Sequence, residues 1–277
     1  MLLPISPPAF AEGESAGQEE TADFSIISAG DEASVPEPSL SENISEEVLS
    51  EEPAMTTPGL HYEEDGIAFG DSTGRAASAV GVDTSFYNGK VNWKELKKSG
   101  IDFAIIRIGG RGWGNGALYT DDWFHNSLYS AQKAGLDTGV YFYSMAANRP
   151  EAKREALYVI EKLDGLELEL PIYFDMEFSG DYPYGRTDKM GTASRVELAL
   201  EFCETIEAAG YSAGIYANES FLKDELNMDA LSAYPVWVAS YTENNVMPGI
   251  ENFAIWQFTD SARLPGISGY CDLNVCF

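Results

Sequence analysis

Two carboxylic acids, Asp175 and Glu177, stand two residues apart at the end of the apolar segment 171–178, which reads Pro-Ile-Tyr-Phe-Asp-Met-Glu-Phe. If this segment is a strand, its side chains alternate between two faces, so both acids point the same way. Like charges held this close raise one pKa, which leaves a proton donor beside a carboxylate. Such a pair can hydrolyse a glycosidic bond. A strand that runs into an acidic loop would give the same letters, so the spacing alone leaves both interpretations open.

More acids, aromatic rings and amides fall on one face of neighbouring strands when residues are counted in steps of two. The active sites of β/α barrels lie at the carboxyl ends of parallel strands, where Asp83, Tyr143 and the acid pair are predicted to lie. Rings stack on sugar faces and polar groups hold sugar hydroxyls, although core packing is the alternative for each aromatic residue. The predicted cleft residues are Asp83, Arg107, Tyr141, Tyr143, Asp175, Glu177, Trp237, Tyr241, Gln257 and Asp272.

Eight apolar strand candidates carry these residues, and amphipathic helix patterns separate the earlier ones. The strand candidates are 79–83, 103–108, 138–144, 171–177, 213–217, 235–240, 253–259 and 270–275. The last three are separated by loops with little helical pattern. We therefore predict an α/β fold, an irregular β/α barrel with parallel strands in the front part and antiparallel strands at the end.

Several helix starts are marked by residues that satisfy free backbone N–H groups. Asn92 and Thr120 are predicted N-caps, and Pro150 is predicted in a first helical turn. Ser194 and Glu197 have the spacing of a capping box, which predicts a long helix that starts at Ser194 and ends at Gly210.

Composition divides the chain into an acidic part and a globular part. Residues 1–74 contain 17 acids and no Lys or Arg, within a chain whose net charge is -28. We predict that residues 12–78 are a disordered acidic linker, because they cannot bury enough apolar surface to offset the ordering entropy. Residues 79–277 are long enough for a single catalytic barrel domain.

The N-terminal residues 1–11 are a candidate remnant of a signal peptide, since Ala9-Phe-Ala11 resembles a cleavage site. We therefore expect a secreted protein that acts outside the cell or in the cell wall. No stretch approaches the length of a membrane span.

Neither a cofactor nor a metal is expected. The two histidines and three cysteines fit no metal-binding spacing, and no phosphate-binding glycine loop is present. The strongly negative charge argues against a nucleic acid partner, and we expect a monomer.

Several segments, in order along residues 79–277, carry a resemblance to a known family. They are Gly81-Val-Asp-Thr-Ser85, Gly89-Lys-Val-Asn-Trp93, Phe103–Gly109, Asp122–Asn126, Ala134–Leu136, Gly139–Ser144, Pro171–Glu177, Trp237–Tyr241, Trp256-Gln257 and Gly269–Asn274. Together they resemble the glycoside hydrolase family 25 lysozymes, the N-acetylmuramidases. No single motif is decisive, but the joint order is highly specific. The resemblance implies an irregular β/α barrel that hydrolyses the β-1,4 bond between N-acetylmuramic acid and N-acetylglucosamine in peptidoglycan.

The resemblance also implies roles for four acids. Glu177 would protonate the leaving sugar oxygen, and Asp175 would assist or stabilise positive charge at the sugar. Asp83 and Asp272 would be the other carboxylates of the cleft. The chain departs from the family at Phe142, where many members have His, and at Phe86-Tyr-Asn88, where relatives often carry polar residues. The period-two count places Phe142 on the helix-facing side, so we expect it to affect catalysis little.

Two other functions fit parts of the sequence. A non-catalytic wall-glycan-binding module on an acidic stalk would explain the departures, but it would not need a proton donor. A chitinase-like barrel also ends a strand with Asp-x-Glu, but it carries further acids upstream, where this chain has Leu170, Pro171, Ile172 and Tyr173. Retention, inversion and attack by the substrate's own N-acetyl group all remain open, because the separation of the two carboxyl groups distinguishes the first two and strand spacing does not determine it.

Overall fold

The computed structural model describes residues 61–63, 66–68, 77–180, 185–241, 249–250 and 253–277. The candidate signal remnant 1–11 lies outside these residues, as does most of the predicted linker 12–78. Within the linker range, strand β1 (His61–Glu63) pairs antiparallel with strand β2 (Gly66–Ala68).

Eight further strands form a closed ring. The strands of the globular part are β3 (Ala79–Thr84), β4 (Phe103–Arg111), β5 (Leu118–Thr120), β6 (Asp137–Tyr143), β7 (Ile172–Asp175), β8 (Ala213–Asn218), β9 (Val236–Ala239), β10 (Phe253–Ala262) and β11 (Cys271–Cys276). The ring order is β3-β11-β10-β9-β8-β7-β6-β4, and pairing of β3 with β4 closes it. Strand β5 extends the sheet from β4 and stands outside the ring. All eight predicted strands are present, and the predicted β/α barrel is confirmed.

Strand direction changes only at the end of the chain. From β3 to β10 every neighbouring pair within the ring is parallel, and β11 alone runs antiparallel to both of its neighbours, β10 and β3. The antiparallel part is therefore smaller than the loop pattern suggests. Strand β10 is still parallel to β9 because a connection without a helical sequence pattern can also return the chain to the start of the sheet.

The described residues form five α-helices and one short 3-10 helix, Phe86–Asn88. The α-helices are α1 (Trp93–Lys98), α2 (Phe124–Lys133), α3 (Arg149–Leu163), α4 (Thr192–Ala208) and α5 (Glu219–Asp224). Asn92 caps α1 as predicted, and Pro150 lies in the first turn of α3. The other two start predictions are wrong. Thr120 pairs with Gly109 at the end of β5, and sheet pairing overrides its capping preference. Helix α4 begins two residues before Ser194, with Gly191 at its N-cap.

The barrel wall separates two apolar layers. Ile172, Phe174 and Met176 pack outward against the helices, whereas Tyr173 packs inside the barrel with Trp237. Phe142 is buried in the outer layer, where its ring lies 6.3 Å from that of Tyr158 on α3 and 6.4 Å from that of Phe202 on α4. These positions match the period-two count.

Among the described residues, no helix combines the length and apolar character that crossing a membrane requires.

Candidate active site

A cavity of ≈ 440 Å³ opens at the carboxyl ends of the parallel strands. All ten residues predicted from the sequence line it, namely Asp83, Arg107, Tyr141, Tyr143, Asp175, Glu177, Trp237, Tyr241, Gln257 and Asp272. It is also lined by Ser85, Tyr87, Trp113, Tyr119 and Tyr216, which the sequence reasoning missed. Tyr216 could have been found from the sequence, because it lies on the predicted strand 213–217, where period-two counting places it on the same face as Gly214. The others lie on loops, on the 3-10 helix Phe86–Asn88 or on the three-residue strand β5, where period-two counting does not apply.

Strand β7 delivers the acid pair to the cavity. Backbone hydrogen bonds fix it on both sides, from Ser144 N to Asp175 O at 2.9 Å and from Met176 N to Tyr216 O at 3.1 Å. Asp175 is buried, and its Oδ1 atom has no hydrogen-bond partner among the described residues. Burial raises the pKa of Asp175 well above its ordinary value, the charge of Glu177 raises it further, and Arg107 opposes both effects. Asp175 thus has a buried, unpaired oxygen in the wall of the cavity.

Glu177 is partly exposed at the cavity surface. Burial is the largest cause of its raised pKa, the hydroxyl group of Tyr216 lowers the pKa in part, and the charge of Asp83 raises it further. A carboxyl group in this environment holds its proton to a higher pH than an exposed glutamate, which suits a general acid.

Asp83 and Asp272 form a second acid pair, across the β3–β11 pairing. The Oδ2 atom of Asp83 accepts hydrogen bonds from Gln257 Nε2 and Asn274 Nδ2, both at 2.8 Å. Burial raises the pKa of Asp83 to about 6, and these two amides limit the rise. Burial and the charge of Asp83 raise the pKa of Asp272 to about 9. At neutral pH the pair therefore carries one proton, which Asp272 donates to Asp83.

The amide side chains of Gln257 and Asn274 accept hydrogen bonds from aromatic side chains of the cavity wall. Gln257 Oε1 accepts the hydroxyl protons of Tyr216 at 2.9 Å and Tyr241 at 2.7 Å. Asn274 Oδ1 accepts the indole N–H of Trp237 at 2.8 Å. Since an indole N–H and a phenol O–H facing an amide oxygen donate their protons, both amide orientations are determined.

Arg107 holds a loop that borders the cleft. Its Nε atom donates to Asp121 Oδ2 at 2.8 Å, and the same oxygen accepts the backbone N–H of Phe86 at 2.9 Å. The guanidinium faces the rings of Phe86 at 4.9 Å and Tyr87 at 5.4 Å. The departure at Phe86-Tyr-Asn88 therefore places an aromatic surface on this wall, and the side chain of Tyr87 is 80% exposed.

The β4–β5 hairpin forms the adjacent rim, with Trp113 and Tyr119 partly exposed towards the cavity. Arg111 anchors the hairpin from below: its Nε atom lies 2.6 Å from Glu155 Oε1, and its Nη1 donates to Gly116 O at 2.8 Å. Ser144 Oγ donates to the other oxygen of Glu155 at 2.6 Å. A buried ion pair thus ties the rim to helix α3.

A second cavity of ≈ 360 Å³ adjoins the first and extends over the start of α5. Glu177, Tyr216 and Tyr241 line both cavities, and Asn218, Glu219 and Ser220 line the second one only. The candidate proton donor therefore lies in the part of the wall that the two cavities share.

Comparisons with known proteins agree with this geometry. A family model described as Glycosyl hydrolases family 25 matches residues 82–267. Lysozyme M1 of Streptomyces globisporus is 28% identical over 203 residues, which make up 70% of this chain and 66% of that protein.

Solved structures show the same fold. The modular autolysin LytC from Streptococcus pneumoniae, in complex with a synthetic peptidoglycan ligand, matches with a TM-score of 0.67 at 24% identity, over 80% of this chain and 52% of LytC. A family 25 glycosyl hydrolase from Bacillus anthracis matches with a TM-score of 0.61 at 21% identity, over 79% of this chain and 93% of that one. The chain spans about half the length of LytC and slightly under two thirds of Lysozyme M1.

Proposed function

The chain belongs to glycosyl hydrolase family 25, and from this membership we propose that it is a lysozyme that hydrolyses the β-1,4 bond between N-acetylmuramic acid and N-acetylglucosamine in bacterial peptidoglycan. The family predicted from the sequence is thereby confirmed, and with it the enzyme class, a glycoside hydrolase. The similarity to Lysozyme M1 supports peptidoglycan as the substrate.

The observation that carries the proposal is that Glu177 lines both of two adjoining cavities. A glycosidic bond that is to be cleaved within a polymer needs room for sugars on both sides of the proton donor. In the proposed reaction a glycan strand lies across both cavities, and the Glu177 carboxyl group protonates the oxygen that leaves.

Asp175 acts on the sugar that loses this oxygen. Its buried, unpaired Oδ1 is an acceptor that a substrate N–H group or developing positive charge on the sugar would satisfy. The charge of Arg107 partly offsets the rise in the pKa of Asp175. Asp83 and Asp272 share one proton, and the negative charge that remains on the pair helps Glu177 to keep its own proton.

The aromatic walls supply binding. Tyr141, Tyr143 and Tyr241 lie along the cleft, and the exposed rings of Tyr87 and Trp113 extend it at the rim. Trp237, which was also predicted to bind substrate, is buried beneath these rings and packs against Tyr141, Tyr173 and Tyr216. Rings in this arrangement stack on the apolar faces of sugars.

We propose further that the protein is a secreted monomer that acts in the cell wall, which would be tested by cell fractionation and by light scattering of the purified protein.

Mass spectrometry of digested peptidoglycan is the direct test. Purified protein is incubated with walls of several chemotypes, and fragments with muramic acid at the reducing end are expected. Glu177→Gln protein serves as the matched control. Fragments with glucosamine at the reducing end would indicate a different bond. Binding to walls without cleavage by either protein would indicate a glycan-binding module, and cleavage of chitin oligomers alone would indicate a chitinase-like enzyme.

A further inference from the structure

The strand that carries the acid pair ends before Glu177. Strand β7 pairs with β6 and β8 as far as Asp175, and the hydrogen bond from Met176 N to Tyr216 O, at 3.1 Å, lies one residue beyond. Glu177 follows outside the sheet, so the strand ladder alone does not fix its position. Because a general acid works only at a defined distance from the leaving oxygen, Glu177 needs a second anchor on the side of Phe178.

The side chain of Arg195, near the start of α4, supplies an anchor for Phe178. Its guanidinium carbon lies 5.4 Å from the centre of the Phe178 ring and 5.1 Å from that of Phe221 on α5. The two rings lie 5.0 Å apart and meet at 66°. Only 1% of Arg195 is exposed, and a guanidinium withdrawn from water is attracted to aromatic rings more strongly than one at the surface.

Hydrogen bonds hold the same guanidinium in place. Its Nη1 atom donates to the carboxylate of Glu225, directly after α5, and this carboxylate balances its charge. Its Nη2 atom donates to the carbonyl oxygens of Thr187 at 3.3 Å and Asp188 at 3.4 Å. Arg195 therefore contacts the chain directly after Glu177 and again at Thr187 and Asp188.

The ring of Phe178 is not placed to bind sugar. It is 45% exposed, but it lines neither of the two cavities that Glu177 lines. Its contacts are instead with Arg195 and Phe221, on the two helices that follow in the chain. A half-exposed ring that stays outside the cleft and is bonded to the residue after the acid is suited to holding that acid.

We propose that Arg195 is a positioning residue that fixes Glu177 in the cleft by holding the ring of Phe178. The inference rests on the proposed role of Glu177 as the proton donor and adds the element that sets its position. Neither Arg195 nor Phe178 touches the sugar or the leaving oxygen in this scheme.

Steady-state kinetics of Phe178 variants test this role. In Phe178→Ala we expect kcat to fall about 10- to 100-fold, because a displaced acid transfers its proton poorly, and KM to stay unchanged. Phe178→Tyr keeps a ring for Arg195 and is expected to keep the wild-type kcat. The matched control is Leu157→Ala on α3, since Leu157 is 46% exposed and lines neither cavity. A raised KM with unchanged kcat in Phe178→Ala, or an equal loss of kcat in Leu157→Ala or Phe178→Tyr, would overturn the proposal.

Arg195→Lys tests whether the arginine acts through this ring. The lysine keeps a positive charge for Glu225 but lacks the planar fork that reaches several partners. We expect its kcat to fall as in Phe178→Ala, and the double variant to be no slower than either single variant, because both remove one contact. Losses that multiply in the double variant would contradict the assignment. If circular dichroism shows that Arg195→Lys does not fold, the Phe178 variants decide.

A second measurement needs no turnover. Carbon-13 NMR of the side-chain carboxyl groups in glutamate-labelled protein reports on Glu177, whose signal is assigned from its loss in Glu177→Gln. In Phe178→Ala, at fixed pH, the signal is expected to broaden or to shift towards those of exposed glutamates, and in Leu157→Ala it should not change. An unchanged Glu177 signal in Phe178→Ala would overturn the proposal. A wild-type protein that cleaves no peptidoglycan would contradict the proposed function and leave this result intact.

Discussion

Replacing Glu177 with Gln exchanges one oxygen for one nitrogen and keeps the shape of the side chain, but the new side chain has no proton to transfer. We expect turnover of peptidoglycan to fall about 10²–10⁴-fold, the usual contribution of general acid catalysis. Initial rates of dye release from labelled walls would measure the loss, and a thermal melt would establish that the variant is folded. A folded variant with nearly wild-type rates would remove Glu177 from the proposed role.

The pH dependence of turnover belongs to the same group of acids. Because Glu177 must be protonated, activity should fall at high pH as Glu177 loses its proton, and its raised pKa moves this fall above the range of an ordinary glutamate. Since the four acids interact, both limbs of the profile report the cluster and not single residues. The control is the profile of Asp83→Asn, whose high-pH limb should move to lower pH because one negative charge near Glu177 has gone.

Asp272 is a residue of the proposed site whose raised pKa makes the stability of the fold depend on pH. Its pKa is about 9 in the fold against an ordinary value of 3.8, so between these values the native state holds a proton that the unfolded chain has lost. Stability must therefore decrease as pH rises through this window. Asp272→Asn keeps an N–H donor for Asp83 and removes the titration. We expect its Tm advantage over wild type to grow from pH 4 to pH 9, measured by calorimetry, and a constant difference would contradict the shared proton.

Strands and helices set the positions of these residues. The attachment of the β4–β5 hairpin, through the ion pair between Arg111 and Glu155, can be tested directly. Arg111→Met leaves Glu155 buried without its partner, so we expect a loss of about 3–5 kcal/mol in the free energy of unfolding at pH 8, together with a raised KM. Trp113→Ala is the matched variant on the same hairpin. It should raise KM by up to about tenfold through lost stacking and leave the stability unchanged. Urea unfolding and steady-state kinetics separate the two effects.

The elements also show which parts of the molecule the sequence predicts. The eight ring strands and the inward direction of Tyr173, Asp175 and Glu177 follow from a strict period of two in buried strands. Strand β5 was not predicted, because three residues are too few to show a period-two pattern. Its pairing with Gly109–Arg111 also depends on the tertiary fold. The hydrogen bonds of Gln257 were equally out of reach, since their partners lie 16, 41 and 174 residues away in the chain.

At the scale of the whole molecule, charge is distributed unevenly. Every predicted site residue lies at position 83 or beyond, whereas residues 1–74 hold 17 acids and no basic residue. A truncated chain that begins at Ala77 should therefore fold and keep its turnover of soluble glycan fragments. On intact, negatively charged walls at low salt it should bind more tightly than the full chain, and about 0.5 M salt should abolish the difference by screening. Sedimentation with walls would measure it, and a difference that persists at high salt would point to a non-electrostatic role for the N-terminal part.

The pairing of β3 with β11 joins the first ring strand to the last, and Asp83 and Asp272 meet across that seam. The seam cannot form until β11 has been synthesised, so a chain that still lacks β11 holds β3 and β10 as open edges. The second acid pair, and Asn274 beside it, are likewise completed only by this last strand. A chain that lacks β11 therefore lacks both the closed ring and one carboxylate of the second acid pair.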